Sequence, residues 1–291
     1  MHPFKLVLLL LLIILYSCKN REANNYFNEA NELYNKENFA DASLIINKAI
    51  KLDSSDIRFH FLNAKIKYKN KQYKESINLF EKCLSNNIEL DTTLFFLGKN
   101  YYELAKINAN NNQKLEASKN YETAIKYFNQ TLNKNIKYLR AYDFKYRSLH
   151  NIGNQEEALL TINQALNIFP KHSFFIGLRG IVKRYLGDKE GGFNDLILAL
   201  NSNSLTDSER SNLLRFKGLF FILDYKNYQE ALTCLTRSIE FKNENQGLTY
   251  YLRSIVYFEL NETEKACNDL QKSGELGYTD AYEELKYKCL N

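Results

Sequence analysis

Tryptophan is absent from the 291 residues, methionine occurs once and proline twice. With only eleven glycines as well, the chain is nearly free of backbone breakers. That excludes architectures built on frequent tight turns and favours long helices. Histidine is scarce too: His2, His60, His150 and His172 are scattered along the chain. No His-Glu-x-x-His, Gly-x-Ser-x-Gly or phosphate-cradling glycine-rich loop occurs. None of the five cysteines forms a Cys-x-x-Cys pair, so neither a zinc ribbon nor a thioredoxin-type site is supported. No catalytic residue, metal site or cofactor is therefore expected. Charge of one sign is lacking as well. The 39 basic and 34 acidic residues interleave, without the clustered basic stripe of a nucleic-acid binder, so no nucleic-acid partner is expected.

Apolar residues make up 45% of the chain, enough for a core, and tyrosine (21) and phenylalanine (19) are abundant. The one long apolar run, Leu6 to Leu15, follows a short positive start at Lys5. It is shorter than the roughly 20 residues a membrane-spanning helix needs, and has the layout of a secretory signal. It ends Leu15-Tyr16-Ser17-Cys18 before the polar stretch Lys19-Asn20-Arg21-Glu22. This ending resembles a bacterial lipobox. The resemblance implies cleavage before Cys18 and lipidation of that cysteine. Residues 1–17 would then be a lipoprotein signal peptide and 18–24 a lipidated tether. Lys19 is not the aspartate that commonly retains lipoproteins in an inner membrane. The expected address is the cell envelope, lipid-anchored in the outer membrane, facing the periplasm or the surface.

The rest of the chain repeats. A small residue recurs at Ala42, Ser76, Ala124, Ala158, Gly192, Ala231 and Ala266, with successive gaps of 34, 48, 34, 34, 39 and 35. A second series, Ala30, Ala64, Gly98, Tyr146, Gly180, Gly218 and Ser254, gives 34, 34, 48, 34, 38 and 36, with Tyr146 the one bulky member. Around these landmarks stand Leu97-Gly98-x2-Tyr101, Ala124-x3-Phe128, Ala158-x3-Ile162 closing on Pro170, and Gly218-x2-Phe221. Period and side chains resemble the tetratricopeptide repeat (TPR), whose pattern is Trp-x2-Leu-Gly-x2-Tyr, then Ala-x3-Phe, then Pro. The leading Trp is replaced throughout, by Tyr26, Leu94, Tyr142, Ile176 or Tyr250.

The resemblance implies an all-α, right-handed superhelical solenoid of about seven TPR helix pairs plus a C-terminal capping helix. The array would occupy 25–278, with repeats near 23–56, 57–90, 91–138, 139–172, 173–206, 207–245 and 246–278. Small residues let paired helices approach, and stacking buries the apolar face that one pair cannot bury alone. The 14 extra residues of the third repeat are expected around 106–120, as an Asn-rich finger between lengthened helices. Asn201–Arg210 is expected to be a polar loop. The capping helix, 279–291, should turn Ala281, Leu285 and Leu290 inward. In an antiparallel hairpin Cys267 and Cys289 would sit opposite each other, and an exported protein meets an oxidising compartment. A disulfide between them is possible, as are two packed thiols.

In this family ligands usually lie against the first helix of each pair. Carried over position by position, the wall comprises Phe61, Lys65, Tyr68, Phe95, Lys99, Tyr102, Asp143, Arg147, His150, Ile181, Arg184, Arg215, Ile222, Tyr251 and Phe258. Aromatic and basic residues there suit an extended peptide with acidic or apolar side chains. The expected function is a non-enzymatic, envelope-tethered scaffold binding an unidentified protein or peptide on its concave face. The alternative is a ligand-capture (glycan) or outer-membrane assembly accessory lipoprotein.

Overall fold

The computed structural model describes the backbone of residues 3–241 and 245–290, with side chains from Lys19 onward. Among the described residues the only regular elements are helices. In order they are α1 (Pro3–Asn35), α2 (Phe39–Leu52), α3 (Ile57–Lys69), α4 (Tyr73–Ser85), α5 (Leu90–Asn110), α6 (Lys114–Lys134) and α7 (Leu139–Asn151). There follow α8 (Gln155–Ile168), α9 (Ser173–Tyr185), α10 (Lys189–Leu200), α11 (Asp207–Phe220), a π-helical turn (Phe221–Tyr225), α12 (Tyr228–Glu240), α13 (Gln246–Glu259), α14 (Thr263–Glu275) and α15 (Asp280–Cys289). The chain forms two compact units, residues 1–154 with α1–α7 and residues 155–291 with α8–α15. Cys18 and its signal run lie outside the residues whose side chains are described.

Each pair turns the same way. The first helix ends in a residue with left-handed backbone: Glu37 (φ 59°), Lys71 (60°), Asn112 (59°), Gly153 (80°), Gly187 (94°), Lys226 (50°) and Asn261 (59°). Around most of these, two backbone bonds close a Schellman motif, as where Glu37 N–H donates to the Tyr34 carbonyl and Asn38 N–H to that of Leu33. The next residue starts the second helix. Asn38, Asp188 and Asn227 each accept a backbone N–H with the side chain, so one polar residue ends one helix and caps the next.

The spacing between the paired small residues is 12 in five repeats, 13 in the sixth (Gly218 to Ala231) and 26 in the third (Gly98 to Ala124). The single extra residue of the sixth is absorbed by the π-helical turn, a wider loop of helix holding one residue more. The 14 of the third add about two turns to each helix at 3.6 residues per turn. Accordingly α5 and α6 run 21 residues each, against 13 in α3 and α4. The expected finger at 106–120 is therefore helical except for Asn111–Gln113. The expected loop Asn201–Arg210 is shorter than its polarity suggested. Thr206 and Glu209 form a reciprocal capping box, which starts α11 at Asp207.

Phe59, Phe80, Phe95 and Phe128 are fully buried in the first unit, and Phe175 and Phe220 in the second. Each such side chain contributes about 1.5–3 kcal/mol by burial. The small residues do what close helix packing requires. A Cβ on Gly180 would stand 2.4 Å from the Gly192 carbonyl oxygen. At the end of the second unit α15 buries only Ala281 completely, lays Tyr282 against Gly274, and is bonded to α14 through Cys267–Cys289, with Cα atoms 5.8 Å apart. Leu290, expected to face inward, is 74% exposed because the helix stops at Cys289.

Candidate binding surface

In the first unit one tyrosine recurs at the period of the repeat: Tyr34 near the end of α1, Tyr68 in α3, Tyr102 in α5. The first two meet a cation from the next first helix. Lys65 Nζ lies 4.6 Å from the Tyr34 ring centre, and Lys99 Nζ 4.7 Å from that of Tyr68. Arg147 acts on Tyr102 electrostatically. Phe61 lies 5.9 Å from Lys65, and Phe144 of α7 covers Lys99 from the other side at 4.7 Å. Such contacts are worth about 0.5–1 kcal/mol when exposed and ~2 kcal/mol when desolvated.

The family-derived wall residues fall into two groups. Phe95 (1% exposed), Tyr102 and Lys99 (9% exposed) are closed off within the packing between α5, α6 and α7. Phe61, Lys65, Tyr68 and Arg147 are half-buried and keep a solvent-facing edge. Arg147 is already bonded to Asp143 at 2.8 Å. Burial raises the phenol pKa of Tyr34 and Tyr68, with the charge of Arg140 pulling the other way in both. Burial likewise draws the Lys65 ammonium below its ordinary value, opposed by Glu89. Arg140, at the start of α7, is exposed, stands 5.4 Å from the Phe95 ring, and forms no ion pair among the described residues. Tyr34, Arg140 and Phe144 were not carried over from the family positions. Tyr34 could have been found from the Tyr34–Tyr68–Tyr102 spacing.

In the second unit the corresponding positions are largely structural. Arg215 is 6% exposed. Arg184 of α9 bonds to Asp224 in the π-helical turn, which also takes Lys189 at 3.1 Å. Burial would raise the Asp224 pKa, but these two cations outweigh it and hold the carboxyl below the ordinary range. Tyr251 packs on Tyr278, with ring centres 4.9 Å apart, and Phe258 lies under Lys288 at 5.0 Å. A tie within two pairs escaped the sequence reading. Arg179 grips Asp195, and Arg253 grips Asp269, each through two hydrogen bonds of 2.7–2.8 Å. Both arginines directly precede the small residue of the first helix, and both aspartates follow that of the second by three.

Two clefts open elsewhere. One of about 690 Å³ lies between the loops before α9 and α11, lined by Phe169, Phe174, Leu205 and His172. The other, about 720 Å³, lies on α1 and α2 around Leu33, Leu44 and Ile45. Among the described residues no three His, Cys, Asp or Glu side chains gather as metal ligands, and no helix is long and apolar enough to cross a membrane.

No protein-family model matches the chain. A TPR repeat-containing protein of Methanocaldococcus jannaschii is 25% identical over 257 residues, covering 88% of this chain. The chain spans 38% of that relative's length. A tetratricopeptide repeat protein from Parabacteroides merdae superposes with TM-score 0.75 at 14% identity, covering 93% of this chain and all of that one. The structure of the APC/C hetero-tetramer Cut9–Hcn1 gives 0.60 at 14% identity, over 91% of this chain and 49% of that one. MamA of Desulfovibrio magneticus gives 0.53 at 11% identity, over 62% and 93%. The chain has the tetratricopeptide-repeat fold, an all-α solenoid of helix pairs.

Proposed function

We propose that the protein is a non-enzymatic scaffold, tethered to the cell envelope by lipid on Cys18, that binds a protein or peptide against its first-unit inner helices. The observation that carries the binding reading is the set of half-buried aromatic and cationic side chains on α1 and α3, namely Tyr34, Phe61, Lys65 and Tyr68, together with the exposed Arg140 of α7. Aromatic rings offer contact area at small entropic expense, and Arg is prominent where binding energy concentrates. The TPR fold supports a role in protein or peptide binding, and the Cut9–Hcn1 neighbour is itself part of a hetero-tetramer. The anchor rests on Leu15-Tyr16-Ser17-Cys18 and the apolar run before it.

Two experiments test this reading. Cys18→Ala should move the protein from the membrane to the soluble envelope fraction; retention on the membrane contradicts the anchor. Affinity purification from detergent-solubilised envelopes should recover a stable protein partner that Arg140→Glu loses. Purification as a lone monomer that binds soluble glycans would overturn the scaffold in favour of ligand capture.

A further inference from the structure

The stretch that joins Cys18 to the first repeat is short and built into the fold. Ala23, five residues after Cys18, is fully buried in a core with Ala30, Ile46 and Phe59. Five residues rise about 8 Å in a helix. Between them Lys19, Asn20, Arg21 and Glu22 form exposed helix at the head of the repeat part of α1. Asn24 holds that turn in place. Its amide donates to the Asn20 carbonyl at 2.9 Å and to the Asn20 side chain at 2.6 Å, while its own oxygen accepts from Arg58 of α3 at 3.1 Å. Arg58 is in turn bonded to Asp56 at 2.5 Å. Lys19 and Asn20 also line a small cleft, about 230 Å³, with Leu52, Asp53, Ser54 and Ser55 of the α2–α3 turn. The turns that join one pair to the next in the first unit all lie at this end of the helices: 53–56, 86–89 and 135–138. Contacts run along the row. His60 Nε2 stands 2.9 Å from the Ser54 carbonyl oxygen and 3.0 Å from Lys82 Nζ, and Asn135 donates to Asp91 at 2.9 Å. The last turn carries Ile136, 61% exposed, between the exposed Lys134 and Lys137.

We propose that this edge of the first unit rests on the lipid headgroups of the membrane, with the α2–α3 turn and Ile136 against the bilayer surface and the within-pair turns directed away from it. The proposal rests on the reading of Cys18 as a lipid anchor and adds how the repeats stand on their membrane. Chain length selects the occupant. The headgroup layer is roughly 5–8 Å deep, so a helical spacer of similar length leaves no room for another protein between edge and bilayer. Net charge does not select it, because Lys19, Arg21, Lys134 and Lys137 stand among Glu22, Asp53 and Glu89. Ile136 and its flanking lysines suit the interface, where an apolar side chain enters the lipid while the ammonium groups stay with the phosphates. The turn Asn111–Gln113 lies at the far end of α5, whose 21 residues span about 30 Å.

The chain has no tryptophan, so a single introduced indole reports its own surroundings. The test uses the mature lipidated protein, purified in detergent and reconstituted into vesicles of phosphatidylethanolamine and phosphatidylglycerol. Half of the vesicles also contain brominated phosphatidylcholine, whose bromines quench indole fluorescence at short range. Ser54→Trp, Ile136→Trp and Gln113→Trp each alter an exposed side chain, and circular dichroism checks that helicity is retained. Ser54→Trp and Ile136→Trp should lose intensity in the brominated vesicles, and Ile136→Trp should shift its emission to the blue relative to the detergent-free protein released by protease from the membrane. Gln113→Trp should give the same intensity in both kinds of vesicle. Vesicle flotation is read in parallel on the native chain and on each variant. In protein that floats, absence of quenching from Ser54→Trp or from Ile136→Trp, or equal quenching from Gln113→Trp, overturns the membrane-facing edge and leaves the anchor standing. Failure of the native chain to float overturns the anchor, and the edge with it.

Discussion

Lys71 sits in left-handed backbone at the turn between α3 and α4, where most pairs need a residue that bears a positive φ. A side chain with a Cβ loses roughly 1–2 kcal/mol in that conformation, which glycine avoids. Gly153 and Gly187 occupy the same place, and a Cβ on either would touch nothing within 4 Å, so the difference lies in the backbone alone. Lys71→Gly should therefore stabilise the protein by about 0.5–1 kcal/mol in urea unfolding, the gain reduced by the freer unfolded chain. Gly153→Ala should destabilise it by a similar amount. A loss of stability in Lys71→Gly would show that the lysine side chain matters more than the backbone. The sequence marks these turns with polar or glycine residues, as in Lys36-Glu37-Asn38, Asn70-Lys71-Gln72, Gly153-Asn154 and Gly187-Asp188. Burial of Lys99 and Phe95 was not visible, because one turn of helix separates a solvent-facing position from one covered by the neighbouring helix. The Arg179–Asp195 and Arg253–Asp269 ties were equally hidden, since each joins residues 16 apart whose charges read as ordinary surface pairs.

The helices themselves follow closely from spacing. An insertion of 14 residues is close to four helical turns, so α5 and α6 lengthen without disturbing their pairing. An insertion of one cannot be shared between two helices and becomes the π-helical turn before α12. That turn sets Asp224 between Arg184 and Lys189. Its depressed pKa means the folded state is favoured above the ordinary value of 3.8, and this contribution is lost as pH falls through the folded value. Asp224→Asn should cost about 1–3 kcal/mol at pH 7, and its stability should fall less than that of the native protein between pH 5 and pH 2 in urea titrations. Parallel loss in both proteins would remove Asp224 from the acid response. At the other end, α15 has little buried surface and depends on its covalent tie, which spans 22 residues and is worth about 3 kcal/mol in a chain-entropy account. Cys289→Ser should accelerate amide exchange across 281–289 by one to two orders of magnitude. Unchanged exchange would mean that packing of Ala281 and Tyr282 holds the cap.

At the level of the whole chain, two helical units carry different faces. The first presents aromatic rings beside Lys65 and Lys99, which rest on Tyr34 and Tyr68. In the second, the matching positions are consumed by Arg184–Asp224, by buried Arg215 and by ring packing at Tyr251 and Phe258. Family positions alone spread a binding wall evenly over the repeats. Of those positions Phe61, Lys65, Tyr68 and Arg147 in the first unit and Arg184, Tyr251 and Phe258 in the second are half-buried, the second-unit ones already engaged by neighbouring side chains. The most direct measurement is hydrogen–deuterium exchange of the mature protein with and without the partner recovered by affinity purification. The account predicts slowed exchange in α1 after Lys19, in α3 and in α7, with α2, α4, α6 and residues 155–291 unchanged. Slowed exchange confined to the second helices of the pairs, or to the cleft around Phe169 and Leu205, would contradict it.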